Sequence, residues 1–163
     1  MFASFCKEFE DHFTNPLHLF MQDFAPKCLL VDDEEPMLMM LSQYVEMLGF
    51  EPIVAHDGDE GIAAFRSFHP SLVVSDIHMP NRNGLLLLRD IKEINAEIPV
   101  ILVTGVLLNY KAAISHDSVQ PDVLIEKPFS LDRLRDAIEM LKPAIDHAWG
   151  RMPAADPEGA QSS

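Results

Sequence analysis

Four short stretches carry the residue types that can do polar chemistry: Asp32-Asp33-Glu34-Glu35, Asp76, Thr104 and Lys127. Each follows an apolar run, namely Leu29–Val31, Leu72–Val74, Val100–Val103 and Val123–Ile125. An Asp at the end of such a run is commonplace as a turn cap, so its meaning depends on its company. If the four runs are parallel strands, their carboxyl ends share one edge of a sheet, where open α/β folds place their chemistry. Three carboxylates, one hydroxyl and one ammonium then meet. Carboxylates so gathered repel one another unless a hard divalent cation joins them, and Mg²⁺ fits because it needs few protein oxygens and keeps several waters. A cation beside an ammonium suits the neutralisation of a phosphoryl group in flight, and a carboxylate can itself accept that group as an aspartyl phosphate. The roles follow. Asp76 attacks in line. Asp33 and Asp76 hold Mg²⁺, and Asp32 supports it directly or through water. Lys127 pairs with a phosphoryl oxygen, its cis-prone bond to Pro128 fixing its aim. Thr104 offers its hydroxyl, and Gly105 leaves that loop free to move.

The elements that must deliver these residues are legible from periodicity. Lys27–Val31 reads as the first strand. Pro36 fits the first turn of the next helix, whose face is Met37, Leu41, Tyr44, Val45 and Leu48, closed by Gly49. Pro52–Ala55 is a second strand, followed by a turn at Asp57-Gly58 and a helix marked by Ile62, Phe65 and Phe68. The Asp76 strand comes third, with Pro80 and Gly84 forcing a turn. Its helix covers Leu85 to Ile94, with Leu87 or Leu88, Ile91 and Ile94 facing in. Pro99–Val103 is the fourth strand, and a weak helix is placed over Asn109–His116. Val123–Ile125 is the fifth. Ser130 caps the last helix, whose inner face is Leu131, Leu134, Ile138, Leu141 and Ile145. The strands are near-continuous apolar runs, as expected where helices cover both faces of a parallel sheet. Right-handed crossovers make this a doubly wound α/β sandwich.

This set at this spacing resembles the bacterial response-regulator receiver domain. The matching pieces are Val31-Asp32-Asp33-Glu34, Ser75-Asp76-Ile77-His78-Met79-Pro80 with Gly84, Val103-Thr104-Gly105 and Glu126-Lys127-Pro128-Phe129. The resemblance covers residues 26 to 147. It implies a flavodoxin-like (CheY-like) five-stranded parallel sheet of order 2-1-3-4-5 with five helices. It also implies Mg²⁺ and a phosphoryl donor that is the phosphohistidine of a sensor kinase or histidine phosphotransfer protein. Self-dephosphorylation follows too, as does a metal ligand in the backbone carbonyl two residues past the acceptor, here His78. The His78 side chain is read as an exposed imidazole whose backbone alone matters. One departure stands out. The family often has an aromatic residue three positions before the site lysine, and here that position is Leu124, with Tyr110 the nearby substitute.

Composition bounds the rest. The chain has 163 residues, 48% of them hydrophobic, enough for one domain with short appendages. A net charge of −14 argues against nucleic-acid or anionic-membrane affinity. Cys6 and Cys28 have no metal or redox spacing; Cys28 reads as a core residue. No apolar run is long enough to span a membrane, and Lys7, Glu8, Glu10 and Asp11 argue against a secretory signal, so a cytoplasmic protein is expected. Residues 1–25 form a Phe-rich amphipathic extension, with Phe2, Phe5, Phe9, Phe13, Leu17, Phe20 and Phe24 at steps of three or four. Asn15-Pro16 interrupts it. It packs on its own domain, pairs two copies through residues 2–24, or docks a partner. His12 and His18 are read as surface imidazoles. From Ala148 to Ser163 the composition reads as a disordered tail. Output is therefore expected through a downstream protein, and the domain is not expected to turn over a separate substrate. The enzyme-class rival is an Asp-nucleophile phosphatase, which the absence of D-x-D after the first strand disfavours. An adaptor that kept the fold without the reaction is the other rival.

Overall fold

The computed structural model describes residues 25–105 and 119–151. Strands β1 (Lys27–Val31), β2 (Glu51–Ala55), β3 (Leu72–Asp76), β4 (Val100–Thr104) and β5 (Val123–Glu126) alternate with helices α1 (Glu35–Met47), α2 (Gly58–Phe68), α3 (Gly84–Ile94) and α4 (Leu131–Gly150). The sheet is wholly parallel in the order β2-β1-β3-β4-β5. Four of the five expected helices lie among the described residues. The weak helix over Asn109–His116, Tyr110 and the Phe-rich extension lie outside them.

Helices on both faces divide the core in two. One layer joins Leu30, Leu38, Leu41, Val45, Val74, Ile101, Leu134 and Ile138. The other joins Leu29, Val31, Ile62, Phe65, Val73, Leu87, Leu88, Ile91 and Leu102. β3 and β4 are buried at every position, as central strands covered on both faces must be. Burying each Leu or Ile contributes about 1.5–3 kcal/mol. Cys28 is fully buried, and burial pushes its thiol well above the usual range, so it behaves as a core side chain.

Local chemistry sets the element ends. Pro36 occupies the first turn of α1, and Gly49, just past the Leu48 cap, takes φ 88°, a conformation glycine reaches without steric cost. Asp57, expected in a turn, instead caps α2, accepting from the amides of Asp59 and Glu60. Asn83 does the same for α3 and Ser130 for α4.

Two expectations need correction. Ile94 does not face in; it is 49% exposed at the last residue of α3, where no following helical turn covers it. The last helix does not give way to a tail at Ala148. It runs to Gly150 with Pro143 inside it, and Ala148 is buried in the second core layer. Its end is tied down by the Arg151–Glu97 ion pair, a contact between residues far apart in the chain. Residues 152–163 lie outside the described ones.

Candidate functional site

Register brings the polar residues together. Val31 of β1 pairs with Ser75 of β3, so Asp32 and Asp76 emerge side by side one residue later. Asp76 in turn pairs with Val103, and Thr104 with Glu126, so Thr104 and Lys127 follow on the same edge. The Lys127 amide donates to the Thr104 carbonyl at 2.7 Å, and the Lys127–Pro128 bond is cis. β5 lies two strand spacings from β3, about 10 Å, a gap closed by the lysine stem, the Asp76 side chain and the 3.3 Å contact between them.

The ammonium of Lys127 ends between two acids. Its Nζ lies 3.1 Å from Asp32 Oδ2 and 3.3 Å from Asp76 Oδ2, with Glu34 Oε1 at 3.9 Å. Asp32 and Asp76 are buried at 3% and 6% exposure, so the usual weakness of solvent-exposed ion pairs does not apply. Both acids also take backbone donors: Asp32 Oδ1 accepts from the Glu34 amide at 2.9 Å, and Asp76 Oδ1 from the Ile77 amide at 2.8 Å. Burial dominates Asp32 and pushes its carboxyl above the ordinary aspartate range, against the opposing pull of the Glu34 amide and Lys127. Burial also works against the charge on Lys127, but its hydrogen bond to Asp32 and the fields of Asp32 and Asp76 outweigh it and raise its pKa. Lys127 therefore stays cationic.

Asp33 completes the cluster. One carboxylate oxygen from each of Asp32, Asp33 and Asp76 lies within 4.8 Å of the others, Asp33 being the exposed member. The donor set is all oxygen, and one ammonium leaves two of the three negative charges uncompensated. Two buried ligands and one exposed one also leave a side open to water. These residues fit a small hard divalent ion. Thr104 is fully buried beside them, and His78 is exposed on the loop after β3. Leu124, three positions before the site lysine, is half-buried against the second core layer.

Two residues near the site do more than their sequence signals indicate. Gly84, expected only to turn the chain, lies so close to β3 that an added Cβ would stand 2.2 Å from the Asp76 carbonyl oxygen, and its amide donates to Ile77 O at 3.0 Å. Arg82 had no expected role, yet it pairs with Asp59 at 3.1 Å and with Asp90. Its only sequence signal is a cation placed between the acidic first turn of α2 and an aspartate midway along α3.

A family model described as the response regulator receiver domain matches residues 28–139. Among curated proteins, the chain is 32% identical over 115 residues to the transcriptional regulatory protein RprY of Bacteroides fragilis, covering 71% of this chain and 48% of that protein. It is 27% identical over 114 residues to the autoinducer 1 sensor kinase/phosphatase LuxN of Vibrio harveyi, covering 70% of this chain and 13% of that one. The chain thus spans about half the length of its regulator relatives or less. Among solved structures it resembles a receiver domain protein from Clostridium thermocellum, with TM-score 0.66 and 28% identity, covering 78% of this chain and 99% of the other. It also resembles the response regulator TrrA of Thermotoga maritima in complex with Mg²⁺–BeF, with TM-score 0.64 and 28% identity, covering 71% and 98%. With its parallel sheet in the order 2-1-3-4-5, this chain belongs to the response regulator receiver domain family.

Proposed function

We propose that Asp76 is the acceptor of a two-component phosphoryl transfer, loaded from a phosphohistidine of a sensor kinase or histidine phosphotransfer protein. The single observation that carries this is the Lys127 ammonium shared between Asp32 and Asp76, 3.1 and 3.3 Å away. A carboxylate oxygen of Asp76 attacks phosphorus in line. The new bond is O–P, the bond broken is P–N, and its electron pair stays with the departing imidazole nitrogen. Lys127 and the Thr104 hydroxyl hold the phosphoryl oxygens.

Asp32, Asp33, Asp76 and the His78 backbone carbonyl would hold Mg²⁺, in keeping with the Mg²⁺–BeF complex of the TrrA relative. When bound, the ion supplies positive charge against the phosphoryl oxygens. Attack of water on the aspartyl phosphate returns the free carboxylate and inorganic phosphate, so the domain resets itself and turns over no separate substrate. Loading adds up to about two negative charges at the sheet edge. The readout runs to a downstream protein rather than to nucleic acid, in line with the net charge of −14. No helix among the described residues is long and apolar enough to cross a membrane, which suits work in the cytoplasm.

The test is incubation with Mg²⁺ and a small-molecule acyl phosphate, read by intact mass. One added phosphoryl group is expected on the parent chain and none on Asp76→Asn. Equal labelling of both would refute the assignment.

A further inference from the structure

Resting on the magnesium reading above, we propose that Arg82 is a positioning residue that clamps the loop carrying the His78 carbonyl and so sets metal affinity. That loop, residues 77–83, is closed at its base by the hydrogen bond from the Gly84 amide to Ile77 O. Its far end is tied to α2 and α3 by side chains. Asn81, at φ 63°, donates from its amide to Asp57 Oδ2 at 3.0 Å, while the other oxygen of Asp57 caps α2. Arg82 extends one guanidinium nitrogen to Asp59 on α2, at 3.1 Å, and the other to Asp90 on α3.

The clamp is tight. An added Cβ on Gly58 would stand 2.4 Å from the Arg82 carbonyl oxygen and 2.8 Å from its Cβ, so the first turn of α2 lies directly on the loop. The Arg82 side chain is 30% exposed and that of Asp90 is 24% exposed. Arg82 Nε is buried without a partner, so the two Nη atoms carry the whole contact, one to each helix. A planar fork can span both acids at once; a lysine has one point of charge and cannot. Without the guanidinium, Asp57, Asp59 and Asp90 surround the loop with uncompensated negative charge. Exposed His78 lies between the two anchored ends, next to Met79, which is buried in the second core layer. An outer residue that orients a ligand typically changes metal affinity by about 10- to 100-fold when removed.

The experiment titrates the full chain with Mg²⁺ by calorimetry, for the parent and for Arg82→Met, Arg82→Lys and Asp90→Asn. Arg82→Met should weaken Mg²⁺ binding about tenfold, Arg82→Lys should not restore it, and Asp90→Asn should weaken it in the same direction. The double variant R82M/D90N should add little to R82M. Phosphorylation by a small phosphodonor should recover towards the parent rate at saturating Mg²⁺, a split that mere loss of stability does not produce. Unchanged Mg²⁺ affinity in folded Arg82→Met, or a rate defect that persists at saturating Mg²⁺, overturns the role of Arg82. If Arg82→Met does not fold, unchanged affinity in Asp90→Asn does so. A parent chain that binds no Mg²⁺, or an Asp33→Asn variant that binds it as well as the parent, fells the metal reading itself.

Discussion

Gly84→Ala separates two physical effects of opposite sign. As the first residue of α3, Gly84 is a place where alanine should stabilise, by up to about 1 kcal/mol, through helix propensity and a less disordered unfolded chain. The structure predicts the reverse. The new Cβ would lie 2.2 Å from the carbonyl oxygen of Asp76 and 3.0 Å from both Asp76 C and Ile77 Cα. All three neighbours are backbone atoms, so no side chain can rotate away. Reaching even a tight contact requires α3 and the end of β3 to part by about 0.8 Å in a close-packed interior. α3 cannot slide freely, because Leu87, Leu88 and Ile91 anchor it at 0–2% exposure. Overpacking of this kind costs about 1–3 kcal/mol or more, which exceeds the propensity gain. With about 1 kcal/mol of net cost left after that gain and a urea m-value of about 1–3 kcal/mol per molar, the unfolding midpoint should fall by roughly 0.3–1 M. The same shift displaces the acceptor, and an error near 1 Å can slow a positioned reaction by about 10²-fold. Equilibrium urea unfolding of Gly84→Ala beside Gly150→Ala, whose added Cβ meets nothing within 4 Å, is the assay. A Gly84→Ala midpoint equal to or above the parent's would refute the close-approach argument.

Two further outcomes can be checked. Lys127→Met should move two readouts in opposite directions: Mg²⁺ affinity by calorimetry rises several-fold, because a competing cation leaves the carboxylates, while the rate of phosphoryl loading falls by about 10²-fold or more. A parallel change in both would count against the shared ammonium. Asp57 is held below the ordinary aspartate range, chiefly by the Glu60 amide and then by the Asn81 side chain. A depressed folded value means that its contribution is present above the unfolded pKa and lost as pH falls through the folded one. Asp57→Asn keeps the helix cap but not this titration, so the parent's stability advantage over it should shrink in acid; a gap independent of pH would contradict this.

Much of the molecule was legible in the chain alone. Apolar runs separated by helical periodicity dictate strand–helix alternation, and a parallel sheet obliges the carboxyl ends of its strands to share one edge. That geometric necessity is why Asp32, Asp76, Thr104 and Lys127 could be assembled from spacing, without any distance in hand. The limits lay where a local pattern carries no information about a nonlocal neighbour. Ile94 continues the apolar stripe of α3 yet faces solvent at the helix end, because periodicity says which side of a helix is apolar and not how far along it the packing reaches. Ala148 sits in a stretch of tail-like composition yet is buried, because α4 runs on to Gly150 and packs it into the second core layer, among residues far away in the chain. Asp59, Arg82 and Asp90 look like ordinary surface charge until α2 and α3 bring them within reach. Tertiary structure alone decided that one ammonium is divided between two buried acids, and that Gly84 touches the Asp76 backbone. Such contacts are set by tenths of an ångström in the packing of whole elements, whereas residue type and spacing specify only which elements form and which way they point.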